Sequence, residues 1–548
     1  LTDDNPRFEN PEKIRRDVKK GIKNQKLFEI SDRSIAISKA IQNLDSGEIL
    51  LVAGKGHEKI QDLGKKKIYF SDKKIIFDAI KKKNQKLSNN LKLNILKEQS
   101  GNQRLPLIPS FKHVRINSKE VKKNDVFFAI RGKNKDGNKF VNQAFKNGAS
   151  IAVVNKIQQK FETNRQIKVN NTLKFLTDLS KIFRKNINTN IIAITGSCGK
   201  TTLKELLGDS LKRISKVSVS PKSYNNKYGV PLSLLNLKTD DNFGILEVGM
   251  DKKGEIDYLS KIIQPDVSVI TNINFAHAKN FKNIRHIAIA KGEIIQNTKS
   301  GGFVVLNADD KFFNLHKKMV KKNNLRLVSF GIKNKISNVK LVNIKKKGNN
   351  FQLCIQFNKF KKYFVISNNF QNNIYNSLTA LAIMSIFTDI CQLNKDIFLK
   401  FKVPEGRGDL SKIKIFKKNI YLIDESYNSN PLSLKSALLN YNKVISKKNK
   451  KFLLLGDMLE LGKNSKKLHQ SIAGIINTTK IDKVFIKGHY MKHMFKRLSK
   501  SKKGRILSNK SQIIDLIRHD LKNNDSLMVK ASNATGLNKI VKEIKGIR

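Results

Sequence analysis

Apolar and polar positions along this chain fall into two alternating patterns. Short, nearly continuous apolar runs have the length and bounding turns of buried strands. Between them lie longer stretches whose apolar residues recur at helical spacing. Val126–Ile130, Ala149–Val154, Ile191–Ile194, Ile420–Ile423 and Lys451–Leu455 read as strands of this kind, and Glu48–Ala53 is the clearest one near the start. Residues 172–187 carry a helical apolar stripe that leads directly into the strand at 191. Strand and helix alternating in this way predict an α/β chain built on parallel sheets. Leu378–Phe387 falls far short of the ~20 residues of a membrane span and reads as a buried helix.

Changes in composition divide the chain. Residues 1–83 form one α/β block. The stretch 84–105, rich in Lys, Asn and Gln, reads as a linker. A compact block spans 106–187 and a large central block 188–404, after which Pro404-Glu-Gly-Arg-Gly408 introduces a final α/β block, 405–548. At ~100–200 residues per domain, several domains are expected from 548 residues. No repeat of ~20–50 residues is visible, which sets solenoids and propellers aside.

Composition then narrows the partners. The three cysteines, Cys198, Cys354 and Cys391, are scattered and form no C-x-x-C pair. Neither a disulfide framework nor a structural zinc site is expected, and a reducing, cytoplasmic compartment is. The net charge is +64, a balance that raises nucleic acid as a partner. The lysines are spread over the whole chain, however, in short runs such as Lys65–Lys67 and Lys345–Lys347, without the interleaved aromatics that stack on bases. They read as solvated faces, and no nucleic-acid partner is expected. The chain opens on Leu1 with no signal peptide, so a fragment or a processed chain is expected.

The strongest chemical signal is Ile194-Thr-Gly-Ser-Cys-Gly-Lys-Thr-Thr202, after a strand and before the helical Leu203-Lys-Glu-Leu-Leu-Gly. A glycine-rich turn feeding a helix N-terminus presents backbone N–H groups and the positive end of the helix dipole to phosphates. Gly196, Ser197, Cys198 and Gly199 would line that cradle, with Thr202 in the first turn. Lys200 would reach the β- and γ-phosphates, and the Thr201 hydroxyl would help hold Mg²⁺. Ile194 stands where the usual spacing G-x-x-x-x-G-K-[ST] has its first Gly, so this is a shorter form of the loop. Glu247 sits where the strand 243–247 runs out into glycine, an oxygen ligand suited to Mg²⁺. His277 ends another strand, where a lone imidazole more often serves a structural role than a metal.

These motifs occur with others in a fixed order: Ser-Tyr-Asn-Asn-Lys-Tyr-Gly-Val-Pro at 223–231, Leu-Glu-Val-Gly-Met at 246–250, Asn-Ile-Asn-Phe-Ala-His at 272–277 and Ala-Lys-Gly-Glu-Ile at 290–294. Leu-Asn-Ala-Asp-Asp at 306–310, Gly-Arg-Gly-Asp-Leu at 406–410, Ile-Asp-Glu-Ser-Tyr-Asn-Ser-Asn-Pro at 423–431 and Leu-Gly-Asp-Met-Leu-Glu-Leu-Gly at 455–462 follow. The set resembles the ATP-dependent Mur ligases of peptidoglycan synthesis over residues 106–548, and within them the branch that adds D-alanyl-D-alanine to UDP-N-acetylmuramoyl-tripeptide. The resemblance implies three domains: a small α/β domain for the UDP-substrate, a central P-loop ATPase domain and a Rossmann-like C-terminal domain. It implies ATP and two Mg²⁺ ions, the first held by Thr201 and Glu247 and the second by His277. Lys291 matches the lysine that such ligases carbamylate with CO₂, although a solvated helix lysine is the plain alternative. Asn373 and Asn376 would contact adenine, or simply cap and solvate a helix. Arg407 would meet the γ-phosphate and Asp424 the ribose. Ser118, Asn225 and Asn226 would grip the nucleotide-peptide, and Tyr427, Asn428, Asn430 and Pro431 would form the C-terminal loop at the closed site. A monomer is expected.

The chain departs from the family pattern at Lys119, where Arg is usual in the uridine-binding motif, at Ala278-Lys-Asn280, and at Asn533, where an Arg contact is missing. Residues 1–83 are similar to the C-terminal domain of the ligase that acts one step earlier and adds the third amino acid, often diaminopimelate. Asp4-Asn-Pro-Arg7 and Gly54-Lys-Gly-His-Glu58 carry that likeness, with Asn5, Arg7, Gly54 and Glu58 as the implied remnant of a diamino-acid site. The expectation is a fusion of two ligases of which the first part is missing. The alternatives are a Mur-type ligase for another acceptor, an inactive scaffold for wall synthesis, and, from a different class, a nucleic-acid-binding ATPase.

Overall fold

The computed structural model describes residues 1–23, 26–44, 48–56, 58–64, 66–101, 111–132, 135–275, 278–358, 360–444 and 449–546. The chain divides into two compact units, Leu1–Phe175 with Lys238–Asp240, and Leu176–Leu237 with Asp241–Arg548.

In the first unit, helix α1 (Pro11–Lys20) starts where the Asn10 side chain accepts from the N–H groups of Glu12 and Lys13, with proline in its first turn and lysines in its last. Helices α2 (Arg33–Asn43) and α3 (Asp72–Gln99) share a small core of Ile37, Ile41 and Ala79. Arg33 is buried and donates from Nε and Nη2 to Asp72 at 2.9 and 2.7 Å, and from Nη2 to the Ala53 carbonyl. Two expectations change here. The stretch expected as a linker is helical as far as Gln99. Residues 84–99 hold no Gly or Pro to stop a helix, Leu93, Ile95 and Leu96 give them a buried side, and 102–105 lie outside the described residues. Glu48–Ala53, expected as a strand, joins no ladder among the described residues, and Ile49 and Leu51 stand 94% and 84% exposed. The same unit holds a parallel sheet in the order Val114–Arg115, Asp125–Phe128, Ala149–Val154, Gln166–Lys168, whose apolar runs bury completely as the sequence predicts.

Helix α4 (Thr172–Lys185) leads to the second unit, which carries two sheets. The nine-stranded one runs in the order Phe360–Ile366, Asn350–Phe357, Val339–Lys347, Arg326–Gly331, Phe303–Asn307, Val267–Ile270, Asn190–Thr195, Phe243–Glu247, Val217–Val219. Its first three strands pair antiparallel and the others are parallel. Helices α5 (Lys200–Lys212), α6 (Ile284–Gln296) and α7 (Gln371–Met384) cover this sheet. The expected buried helix is the inner part of α7, whose residues from Asn376 to Met384 are all buried. The second sheet has six strands in the order Asp409–Ile415, Lys418–Glu425, Ser526–Lys530, Lys451–Gly456, Lys483–Lys487, Lys503–Ile506, parallel beyond its first pair. Helix α8 (Pro431–Val444) begins just past the end of the second of these strands. Among the described residues no helix is long and apolar enough to cross a membrane.

Candidate active site

Open parallel sheets bind ligands beyond the carboxyl ends of their strands. Here the strand Asn190–Thr195 lies between Val267–Ile270 and Phe243–Glu247, and all three end at one cleft of about 880 Å³. Ile191–Ile194 are fully buried, so the chain leaves the sheet from a fixed point. Gly196 follows with φ +146°, and a Cβ there would lie 1.9 Å from Thr271 Oγ1. Only glycine fits. Ser197 Oγ donates to the Asn274 carbonyl (2.9 Å), the Cys198 N–H donates to Asn272 Oδ1 (3.0 Å), and Thr271 Oγ1 donates to the Cys198 carbonyl (2.7 Å). Gly199, at φ +84°, then caps α5. The loop is thus shaped by side chains of the adjoining strand end, and the free N–H groups of the first helical turn face the cleft. Lys200 Nζ donates to the Gly196 carbonyl at 2.9 Å across the mouth of this loop.

At the foot of α5, Thr201 Oγ1 donates to Glu247 Oε2 at 2.8 Å, and Asn225 Nδ2 donates to the other carboxylate oxygen, also at 2.8 Å. Both oxygens of a buried carboxylate are therefore held, one by a hydroxyl beside the phosphate loop. Lys291, on α6, is 1% exposed and makes no hydrogen bond or ion pair with the described residues. Burial, and then the nearby Lys200 ammonium, push its amine well below the usual lysine range. At another side of the cleft, Asp309 accepts from the N–H groups of Ile332, Lys333 and Asn334 and from the Tyr375 hydroxyl (2.9 Å). Asn373 and Asn376 line the same region; Asn373 Nδ2 donates to Asn368 Oδ1 at 2.7 Å, and Asn376 Oδ1 lies 3.4 Å from the place a Gly199 Cβ would take.

The second sheet completes the wall. The Arg407 guanidinium stacks 4.3 Å from the centre of the Tyr427 ring, and the Tyr427 hydroxyl donates to Ser223 Oγ at 3.0 Å. Arg407 Nη2 (3.4 Å) and Thr201 Oγ1 (3.5 Å) reach the same hydroxyl. Asn430, at the start of α8, exchanges contacts with the Cys198 thiol, its Nδ2 donating to Sγ at 3.0 Å. Burial pushes that thiol above its usual range. Lys530, 1% exposed, donates to Glu425 Oε2 (3.0 Å) and to the Asn428 carbonyl (3.1 Å).

Ser197, Cys198, Gly199, Lys200, Thr201 and Thr202 all line the cleft, as do Glu247, Asn373, Asn376, Asn225, Asn226, Arg407, Tyr427, Asn428 and Asn430. Asn226 also accepts from the N–H groups of Tyr228 and Gly229, a turn at the start of the next helix. Asp424 is not among the lining residues. It is buried, with one oxygen held by Ser426 and the other 3.2 Å from Lys545 Nζ, and its neighbour Glu425 faces the cleft in its place. A strand alternates its faces, so one position separates a core carboxylate from a cleft carboxylate. His277 lies outside the described residues. Ser118 belongs to the first unit, where its buried hydroxyl donates to Gln143 Oε1 at 2.7 Å. The Asn5–Glu58 set is there too: Asn5 Nδ2 donates to Glu58 Oε2 at 2.9 Å, a Gly54 Cβ would sit 3.0 Å from Asp4 Oδ2, and Arg7 is exposed with φ +53°. Sequence reasoning missed Ser223, Asp309, Tyr375 and Lys530; Ser223 opens the motif at 223–231, which was the signal available for it.

Comparison with known proteins follows this geometry. Residues 194–384 match the Mur ligase middle domain, 412–533 the Mur ligase glutamate ligase domain, and 110–184 the Mur ligase family catalytic domain. The chain is 32% identical over 434 residues to the UDP-N-acetylmuramoyl-tripeptide–D-alanyl-D-alanine ligase of Rickettsia prowazekii, covering 78% of this chain and 94% of that protein. A crystal structure of MurF from Acinetobacter baumannii shares the fold at a TM-score of 0.71 and 24% identity, over 83% of this chain and 98% of that one. The MurF ligase of Thermotoga maritima, solved in complex with ADP, matches at a TM-score of 0.67 and 25% identity, over 79% and 97%. With a phosphate loop, a buried carboxylate and domain models running in order along it, the chain belongs to the Mur ligase family, ATP-binding ligases of peptidoglycan and cell-wall synthesis.

Proposed function

We propose that this chain joins D-alanyl-D-alanine to UDP-N-acetylmuramoyl-tripeptide at the expense of ATP. The convergence of Lys200, Thr201, Glu247 and Arg407 on one cleft carries the reading, and the likeness to the Rickettsia ligase supports the choice of acceptor. A carboxylate oxygen of the tripeptide attacks the γ-phosphorus and the bond to ADP breaks, leaving an acyl phosphate. The neutral amine of D-alanyl-D-alanine then attacks the acyl carbon, loses its extra proton to solvent, and expels phosphate. Both steps rest on positioning and charge neutralisation. The N–H groups of the phosphate loop hold the triphosphate, Lys200 exchanges the Gly196 carbonyl for phosphate oxygen, and Arg407 faces the transferring group. Tyr427 holds the Arg407 guanidinium in plane, and the loop Tyr427–Asn430 shields the acyl phosphate from water.

Thr201 and Glu247 present hard oxygens 2.8 Å apart beside the phosphate loop, a set that fits Mg²⁺, which takes its remaining ligands from phosphate and water. Bound there, Mg²⁺ would offset the triphosphate charge. His277 is proposed for a second Mg²⁺. A neutral amine is the form that takes up CO₂, and burial beside the Lys200 ammonium eases the loss of the Lys291 proton, so Lys291 is proposed to become a carbamate and add an oxygen donor. Asn373 and Asn376 are proposed for adenine, Glu425 or Asp424 for the ribose, and Ser118, Asn225 and Asn226 for the nucleotide-peptide. Residues 1–83 are proposed as kin to the C-terminal module of the diaminopimelate-adding ligase, with Asn5 and Glu58 as the surviving contact pair. The domain limits 106–187, 188–404 and 405–548 are part of the same proposal.

The test supplies Mg-ATP with each substrate singly and both together, and identifies products by mass. Pentapeptide nucleotide with stoichiometric phosphate, only when both are present, is the expected result. Phosphate release without ligation, or release driven by DNA, contradicts the proposal.

A further inference from the structure

Lys204 is fully buried, an unusual place for an ammonium, and it lies away from the cleft lining. It stands one helical turn beyond Thr201 on α5, so the two side chains rise from one face of the helix. Its Nζ donates to the carbonyls of Ser220 and Lys222 and pairs with Glu205 Oε1 at 3.1 Å. Those carbonyls open the loop 220–226, and the rest of that loop is tied to the cleft. The Ser220 N–H donates to the Ile245 carbonyl (2.9 Å) and Ser220 Oγ accepts from the Glu247 N–H (3.3 Å). Ser223 Oγ is the meeting point of Thr201, Arg407 and Tyr427, and Asn225 holds Glu247. The Gly249 N–H donates to the Asn225 carbonyl at 2.8 Å.

We propose that Lys204 is a positioning residue: its ammonium fastens the loop 220–226 to the phosphate-loop helix, so that Ser223 and Asn225 are presented to Arg407 and Glu247 in one fixed register. A charge buried this deeply is unfavourable unless polar groups around it compensate the lost water. Two carbonyls accept from the ammonium and the Glu205 carboxylate pairs with it. The anchor works through the loop and touches no reacting atom. Its consequence for the nucleotide-peptide rests on the reading under Proposed function; its consequence for the loop does not.

The test uses Lys204→Met in the full chain, beside Leu207→Ala, a core change in the same helix that leaves the loop carbonyls alone. Amide hydrogen exchange is followed at Ser220, Tyr224 and Gly249, together with ADP affinity and the KM for UDP-N-acetylmuramoyl-tripeptide. In Lys204→Met the loop amides exchange at least tenfold faster, ADP affinity stays within threefold, and KM rises at least tenfold while Leu207→Ala leaves KM in place. Unchanged loop exchange, or the same loop and KM effects from Leu207→Ala, overturns the proposal. If Lys204→Met does not fold, Lys204→Gln, whose amide still donates to one carbonyl, is read in the same way. A parent protein without turnover on these substrates would refute the proposed reaction, while loop exchange and ADP affinity would still decide the role of Lys204.

Discussion

Gly196→Ala isolates the phosphate loop. The new Cβ would sit 1.9 Å from Thr271 Oγ1 and 3.1 Å from Thr271 Cβ, against ~3.5–4.0 Å for an ordinary contact. The Thr271 hydroxyl must turn away and give up its 2.7 Å hydrogen bond to the Cys198 carbonyl. Losing that bond in a buried setting costs ~1–3 kcal/mol. Holding alanine at φ +146° adds ~1–3 kcal/mol. The loop can escape both only by leaving the shape that binds phosphate, so the strain appears as lost nucleotide affinity. Even ~2 kcal/mol is about a 30-fold change in Kd. Calorimetric titration with ADP measures it. Gly301→Ala is the control, because Gly301 also has positive φ but nothing lies within 4 Å of its added Cβ. Gly196→Ala is expected to weaken ADP binding at least 30-fold and Gly301→Ala to leave it within threefold. ADP binding within threefold of the parent in Gly196→Ala would refute the steric reasoning.

Four further outcomes follow from the same geometry. Arg407→Lys removes the planar cation that stacks on Tyr427 and reaches Ser223, so steady-state kinetics should show kcat at least tenfold lower with ADP affinity held within threefold; an unchanged kcat counts against the placement of Arg407. Lys291→Met replaces a buried amine, unpartnered among the described residues, by an apolar chain of similar length, so calorimetry should show the melting temperature unchanged or raised while turnover falls at least 100-fold and bicarbonate does not restore it. Among the thiols, exposed Cys391 should react with Ellman's reagent first, and Cys198, whose thiol burial holds protonated, much more slowly, as peptide mapping of the labelled protein will show. Arg33→Met leaves Asp72 buried without its partner and should cost the first unit ~3–5 kcal/mol in urea unfolding; a loss under ~1 kcal/mol would mean that the pair is not closed in solution.

The part of the site that sequence made legible is the part built from local rules. A buried strand, two glycines, Lys200 and Thr201 at a helix start define a phosphate loop wherever they occur, and Glu247 at the next strand end follows from strand length alone. What stayed hidden depends on neighbours distant in the chain. Ser223 matters because Arg407 and Tyr427 arrive from about two hundred positions away. Lys204 read as one more lysine among many, although its company of Leu203, Leu206 and Leu207 on a buried helix was a signal. Glu425 lines the cleft while Asp424 is buried beside it, because a strand's faces alternate and a pattern does not say which face meets the ligand. Glu48–Ala53 has strand composition but joins no ladder among the described residues, and the polar run 84–99 carried enough leucine spacing to stay helical.

The central claim is that the carboxylate of the tripeptide is activated by direct phosphorylation. Its most direct test labels that carboxylate with ¹⁸O, runs the reaction with ATP and D-alanyl-D-alanine, and examines the phosphate by mass spectrometry. One ¹⁸O in each released phosphate, with the other retained in the new amide, is the predicted result. Phosphate without label would contradict it.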